Sequence, residues 1–137
     1  FAGSADTCVL DLYMKDTSSG ASHNSIGTNT NQFGEFEVNG FQSIVAITLD
    51  DLSEVKGILL PNHIKLDVDG RELEILKGSS KLLLTIETIL VEIEGSNRGE
   101  NLEDIENLLS NAGLIEDTEW RDKGSGRNRL YKRDRNL

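Results

Sequence analysis

Ile64-Lys65-Leu66-Asp67-Val68-Asp69-Gly70-Arg71-Glu72-Leu73-Glu74-Ile75-Leu76-Lys77-Gly78 divides into a strand and a helix, and that division decides the fold. Ile64, Leu66 and Val68 alternate with Lys65, Asp67 and Asp69, which is the period of a strand, and Gly70 follows as a turn residue. Residues 72–77 then read as a helix stopped by Gly78, with Leu73 and Leu76 turned inward and acids in the first turn. Two carboxylates thus collect at a strand's carboxyl edge. In open parallel α/β sheets ligands bind outside that edge, so Asp67 and Asp69 are the first candidates for chemistry.

Downstream the arrangement recurs. Ile89, Val91 and Ile93 alternate with Leu90, Glu92 and Glu94 before Gly95, so a second strand delivers acid to the same edge. Leu102, Ile105, Leu108, Leu109 and Ala112 fall at helical spacing before Gly113, making 102–112 an amphipathic packing helix. Residues 114–120 and 129–132 read as two strands joined around Lys123-Gly-Ser-Gly, a terminal hairpin. Upstream, 8–14 reads as a strand with Cys8, Leu10, Leu12 and Met14 on its buried face, pairing with a second extended stretch over 36–47. Between them, 16–34 is rich in Ser, Thr, Asn and Gly and reads as a long surface loop. His23 lies in that loop; it is either an ordinary polar residue or, over a crevice, a general base near neutral pH. His63 lies at the start of its strand, the wrong end for the crevice. Thr48 followed by Asp51 is a helix start, so Asp50 and Asp51 are explained by capping and the helix dipole rather than by metal binding.

The whole is one domain over 1–137. Its 36% hydrophobic content suffices for a core, and no run of about eighteen apolar residues suggests a membrane span. A net charge of −10 argues against nucleic acid or an anionic membrane as partner. The charge is uneven: from Arg121 onward seven Lys or Arg face two acids, whereas the first 120 residues carry seven bases and 22 acids. Such a basic tail is expected to pair with its own acidic body. Cys8 is the single cysteine, which rules out an internal disulfide or a cysteine zinc cluster, and no leader pattern is visible; the expected compartment is the cytoplasm. The sequence opens on Phe1 and enters a strand pattern almost at once, as part of a longer chain would.

The linked set Thr48-Leu-Asp-Asp-Leu52, Ile64-Lys-Leu-Asp-Val-Asp-Gly-Arg-Glu72 and Leu76-Lys-Gly78 resembles the pattern of the FkbM family of S-adenosylmethionine-dependent methyltransferases. Val91-Glu92-Ile93 and Asn128-Arg-Leu-Tyr131 resemble it in order and spacing too, so the likeness runs from about Asp6 to Arg133. Asp69 stands where the family has Glu or Gln, and Arg71 where it has a small residue. The resemblance implies an α/β fold: the C-terminal part of a doubly wound, Rossmann-like class I methyltransferase sheet, mostly parallel with an antiparallel terminal hairpin. Residues 64–69 would be its fourth strand and 90–94 its fifth. The family's Asp-x-Gly-Ala-Asn-x-Gly loop has no counterpart, and Gly124-Ser-Gly126 does not replace it, so the domain is expected to be N-terminally truncated, with the missing strand beside 64–69.

The implied activity is methyl transfer from S-adenosylmethionine to a hydroxyl of a sugar or polyketide-like small-molecule acceptor. The candidates for it are Asp67, Glu92 and His23 as catalytic groups and Asp67 and Asp69 on the cofactor side; Asp67 with Glu92 is alternatively a ligand pair for a divalent cation. For Asp69 and Glu72, capping of the following helix is an equal alternative. Two other readings stay open. Leu66-Asp-Val-Asp-Gly70 resembles the strand end of a magnesium-dependent haloacid dehalogenase-type phosphatase, although no downstream aspartate pair follows. The third is a non-catalytic α/β module.

Overall fold

The computed structural model describes residues 2–19, 21, 24–31, 33–93, 99–124 and 126–135. In chain order the elements are β1 (Ala2–Gly3), β2 (Cys8–Met14), β3 (Ser25–Ile26), β4 (Thr30–Asn31), β5 (Gly34–Glu35), β6 (Gly40–Ile47), α1 (Leu49–Ser53), β7 (His63–Leu66), α2 (Glu72–Lys77), a 3-10 turn (Leu82–Leu84), β8 (Thr88–Glu92), α3 (Glu100–Asn111), β9 (Leu114–Glu116), α4 (Thr118–Lys123) and β10 (Asn128–Arg133). They form a mixed α/β protein with two four-stranded sheets, ordered β1-β6-β2-β3 and β7-β8-β10-β9, and a small β4-β5 ribbon.

The second sheet holds the core. β7 and β8 run parallel because α2 and the 3-10 turn supply the crossover between them, with Leu66 opposite Val91. Ile89 and Val91 of β8 are buried, as are Leu73, Ile75 and Leu76 of α2 and Ile105 and Leu109 of α3. The helical spacing read over 102–112 therefore does its packing work against α2 and β9.

The mostly parallel sheet expected from the sequence is not what forms. Among the described residues only β1/β6 and β7/β8 pair in parallel; β2/β3, β2/β6, β4/β5, β8/β10 and β9/β10 are antiparallel. Parallel pairing needs a crossover: the helix between β7 and β8 provides one, the segment from β2 to β5 separates β1 from β6, and the remaining neighbours pair antiparallel. The terminal hairpin is also corrected. β9 stops at Glu116 because Asp117 caps α4, its carboxylate accepting from the Trp120 N–H at 2.9 Å, so a helix intervenes before β10.

The long polar loop is partly ordered by the β4-β5 ribbon and by Asn29 Nδ2 donating to Glu35 Oε1 at 2.9 Å. β2 and β6 pair antiparallel over their length, as the sequence suggests, yet no residue of β2 is fully buried. The basic tail does pair with the body. Arg129 contacts Glu106 at 2.5 Å, Lys132 contacts Asp117 at 2.5 Å, and the Arg133 guanidinium donates to the carbonyls of Ala112, Leu83 and Ile86.

Candidate active site

Asp67 and Glu92 come together because two parallel strands end in step. Leu66 is opposite Val91, so the residue that follows β7 lies level with the last residue of β8, and the Asp67 and Glu92 carboxyl groups are neighbours. On the other side of Asp67, Lys65 Nζ sits 2.6 Å from its Oδ2, since residues two apart on a strand share a face. The Lys65 ammonium, and after it the Glu92 carboxyl, hold the Asp67 carboxyl below its ordinary value; the same ion pair raises the Lys65 ammonium. Asp67 is exposed and Glu92 half-buried, so the pair stands open at the carboxyl edge.

The turn behind it is rigidly built. Asp69 takes a left-handed φ of 54° and Gly70 a φ of 101°, a conformation aspartate tolerates better than most residues. Glu72 then folds back: its Oε1 accepts from the Val68 N–H at 2.9 Å and its Oε2 from the Gly70 N–H at 3.0 Å. Glu72 is 1% exposed, and its structural role answers the question its position in the sequence leaves open. Asp69 is exposed in the turn, one step beyond the Asp67–Glu92 pair. His23 lies outside the described residues, as does Glu94.

Three neighbours are not evident from the sequence pattern. Lys65 is the closest, and its i, i+2 spacing from Asp67 is the signal that finds it. Asn128 is opposite Glu92 in the β8/β10 register, which brings the α4–β10 turn to the same edge; no local signal reveals that pairing. Arg71, at the start of α2, donates from Nη1 to the Ile26 carbonyl at 3.0 Å and pairs with Glu74. That contact ties the polar loop to the turn beside the acidic edge.

Other candidates fall away from the edge. His63 Nδ1 lies 2.9 Å from Thr88 Oγ1 at the opposite end of the two strands. Thr48 caps α1 by accepting from the Asp51 N–H at 2.9 Å, and Asp51 accepts from the Thr7 hydroxyl. Asp50 caps the 3-10 turn rather than its own helix, taking the N–H groups of Lys81 and Leu82. Among the described residues no three His, Cys, Asp or Glu side chains converge to hold a metal ion. Nor, among these residues, is any helix long and apolar enough to cross a membrane.

A parallel strand pair with acids at its carboxyl ends, joined through a helix, is the construction of a ligand-binding α/β enzyme domain. The methyltransferase FkbM domain model matches residues 2–115, and the chain belongs to that family. A hexuronic acid methyltransferase, AglP, of Haloferax volcanii is 39% identical over 75 residues, which cover 55% of this chain and 30% of that protein. The match thus spans under a third of the relative's length. No solved structure matches significantly.

Proposed function

We propose that the chain is the C-terminal part of an S-adenosylmethionine-dependent methyltransferase domain that methylates a hydroxyl of a small sugar-like acceptor. The observation that carries this reading is the Asp67–Glu92 pair at the carboxyl ends of adjacent parallel strands. Membership of the FkbM family supports the reaction class, and the name of the hexuronic acid relative favours a sugar over a polyketide-like acceptor. The finer fold assignment belongs to the same proposal: β7 and β8 are the fourth and fifth strands of a doubly wound sheet. The family's glycine-rich cofactor loop has no counterpart in residues 1–137. In support, β7 stands at the edge of its sheet, with one strand neighbour among the described residues. A cytoplasmic location fits the single, exposed and unpaired Cys8.

The donor set suits the cofactor electrostatically, since an acidic edge favours a cationic sulfonium; when bound, the cofactor supplies an electrophilic methyl group. Asp67 takes the proton of the acceptor hydroxyl, and Lys65 keeps that carboxylate ionised and oriented. Glu92 fixes the second oxygen-rich wall, and Asp69, one turn further, faces the cofactor side. His23 in the polar loop is the alternative proton acceptor.

Calorimetric titration of S-adenosylmethionine into this chain and into the chain extended upstream tests the reading. Binding by the extended protein alone is the expected result. Failure of both to bind overturns it. In the extended protein Asp67→Asn is expected to lower kcat by about 100-fold or more, the usual contribution of a general base.

A further inference from the structure

We propose that Arg71 is a positioning residue: its guanidinium holds the Ser25-Ile26 segment against the start of α2, so that the polar loop stands as a wall of the crevice at the acidic edge. This rests on the reading of that edge as a methyltransferase site.

The segment is held from two sides. On one, β3 pairs with β2, with Ile26 opposite Leu12, and the Gly27 N–H donates to the Asp11 carbonyl at 2.8 Å. β3 is the last strand of its sheet, so its far side is left to other partners. On that junction Arg71 Nη1 donates to the Ile26 carbonyl at 3.0 Å, while Nη2 pairs with Glu74. A hydrogen bond from a charged donor is stronger than one between neutral groups. Arg71 follows directly on the Asp69-Gly70 turn, whose left-handed backbone leads from Asp67 into α2. Ile26 is thereby fixed within one side chain's reach of that turn.

The contact needs an arginine. The Arg71 side chain is 27% exposed, and its Nε is buried with no partner among the described residues. Burying that N–H unpaired costs stability, and a shorter or unbranched side chain would avoid the cost. What arginine adds is a planar fork that spans Ile26 and Glu74 at once. The FkbM pattern has a small residue at this position, which could not reach either, so the tie is particular to this chain.

The wall so placed is polar and carries no fixed charge. Residues 17–34 contain no Asp, Glu, Lys or Arg, and eleven of the eighteen are Ser, Thr, Asn or Gln, in a chain of which 28% is charged. It is braced within itself as well: Ser25 Oγ donates to the Thr30 carbonyl at 2.6 Å, and Asn29 Nδ2 to Glu35 at 2.9 Å. Such a wall adds hydrogen-bonding groups beside the edge and leaves its charge to Asp67, Asp69 and Glu92.

S-adenosylmethionine titrated into whichever form binds it, this chain or the extended protein, with the Ile26 and Gly27 amides followed by NMR, tests the assignment. Both amides are expected to shift on cofactor binding in the wild type and in Glu74→Ala, which keeps the Nη1 bond. In Arg71→Met, which keeps the stem and loses the donors, that shift is expected to be lost. Arg71→Lys, which keeps one donor, is expected to restore it; a loss common to Met and Lys, with Glu74→Ala lost too, overturns the positioning role in favour of a general brace. Cofactor binding that leaves both amides unmoved in the wild type, or moves them alike in Arg71→Met, overturns the role of Arg71 and leaves the methyltransferase reading standing. Binding by neither form overturns that reading and the wall with it.

Discussion

The sheet of β7, β8, β10 and β9 carries the contiguous core, and the sheet of β1, β6, β2 and β3 carries almost none. In the first, Ile89 and Val91 are at most 1% exposed; in the second, Val9 and Phe41 are 68% and 70% exposed. Strands of both sheets are rich in apolar residues, so their composition does not separate them. What separates them is cover: α2 and α3 pack with β7, β8 and β9, whereas β2 and β6 have no comparable helical layer among the described residues. Alternation selects a strand, but burial needs a second layer.

Breaking the core should cost most. Leu76→Ala is expected to destabilise by about 4 kcal/mol, and Val9→Ala by under about 1 kcal/mol, in urea titrations with unchanged slope. Equal losses would mean that the open sheet is covered after all. Next comes the turn between β7 and α2. Glu72→Ala removes the carboxylate that accepts from the Val68 and Gly70 N–H groups, and a loss of about 3 kcal/mol is expected; Glu72→Gln keeps an acceptor and should lose less.

The junction of the two sheets is sharpened by Gly78→Ala. A Cβ there would stand 2.2 Å from the Ser4 carbonyl oxygen, so the strand end beside α2 must move. About 2 kcal/mol is expected, by thermal or chemical denaturation. A neutral result would show the chain after β1 free to move away from the end of α2.

Two titrations give smaller effects. Burial, reinforced by the Glu116 charge, pushes the Tyr131 phenol up to about 12 from 10.0. A raised acid favours the neutral form in the folded chain, so its stabilising contribution is complete below pH 10.0 and is lost as pH rises to about 12. Tyr131→Phe should flatten that alkaline limb of stability against pH. At the exposed edge, Asp67 should titrate below 3.8 by NMR, and Lys65→Met should move it upward. Its depressed value means that any stability it contributes is present above pH 3.8 and fades as pH falls through the folded midpoint. An unchanged midpoint in the Lys65 variant would remove the ion pair from the account of the edge.

Much of the second sheet is legible from local pattern. β7, α2 and α3 follow from period and glycine stops, and the acids at positions 67 and 92 follow from where two strand patterns end. Misreadings arise where one residue overrides a pattern. Asp117 turns an expected strand into α4 through a single cap, and Asp50 caps a turn thirty residues away instead of its own helix. Glu72 looks equally like a cap or a site until its contacts with the Val68 and Gly70 N–H groups are seen.

The sequence by itself determined that acid would gather at strand ends, because alternation and turn glycines are properties of neighbouring residues. Tertiary structure alone decided that Asp67 lies level with Glu92, that Asn128 is opposite Glu92, that the polar loop meets Arg71, and that among the described residues β6 is paired over 41–45 on one side only. Those depend on register and on which strands lie side by side, and both are set by packing between residues far apart in the chain.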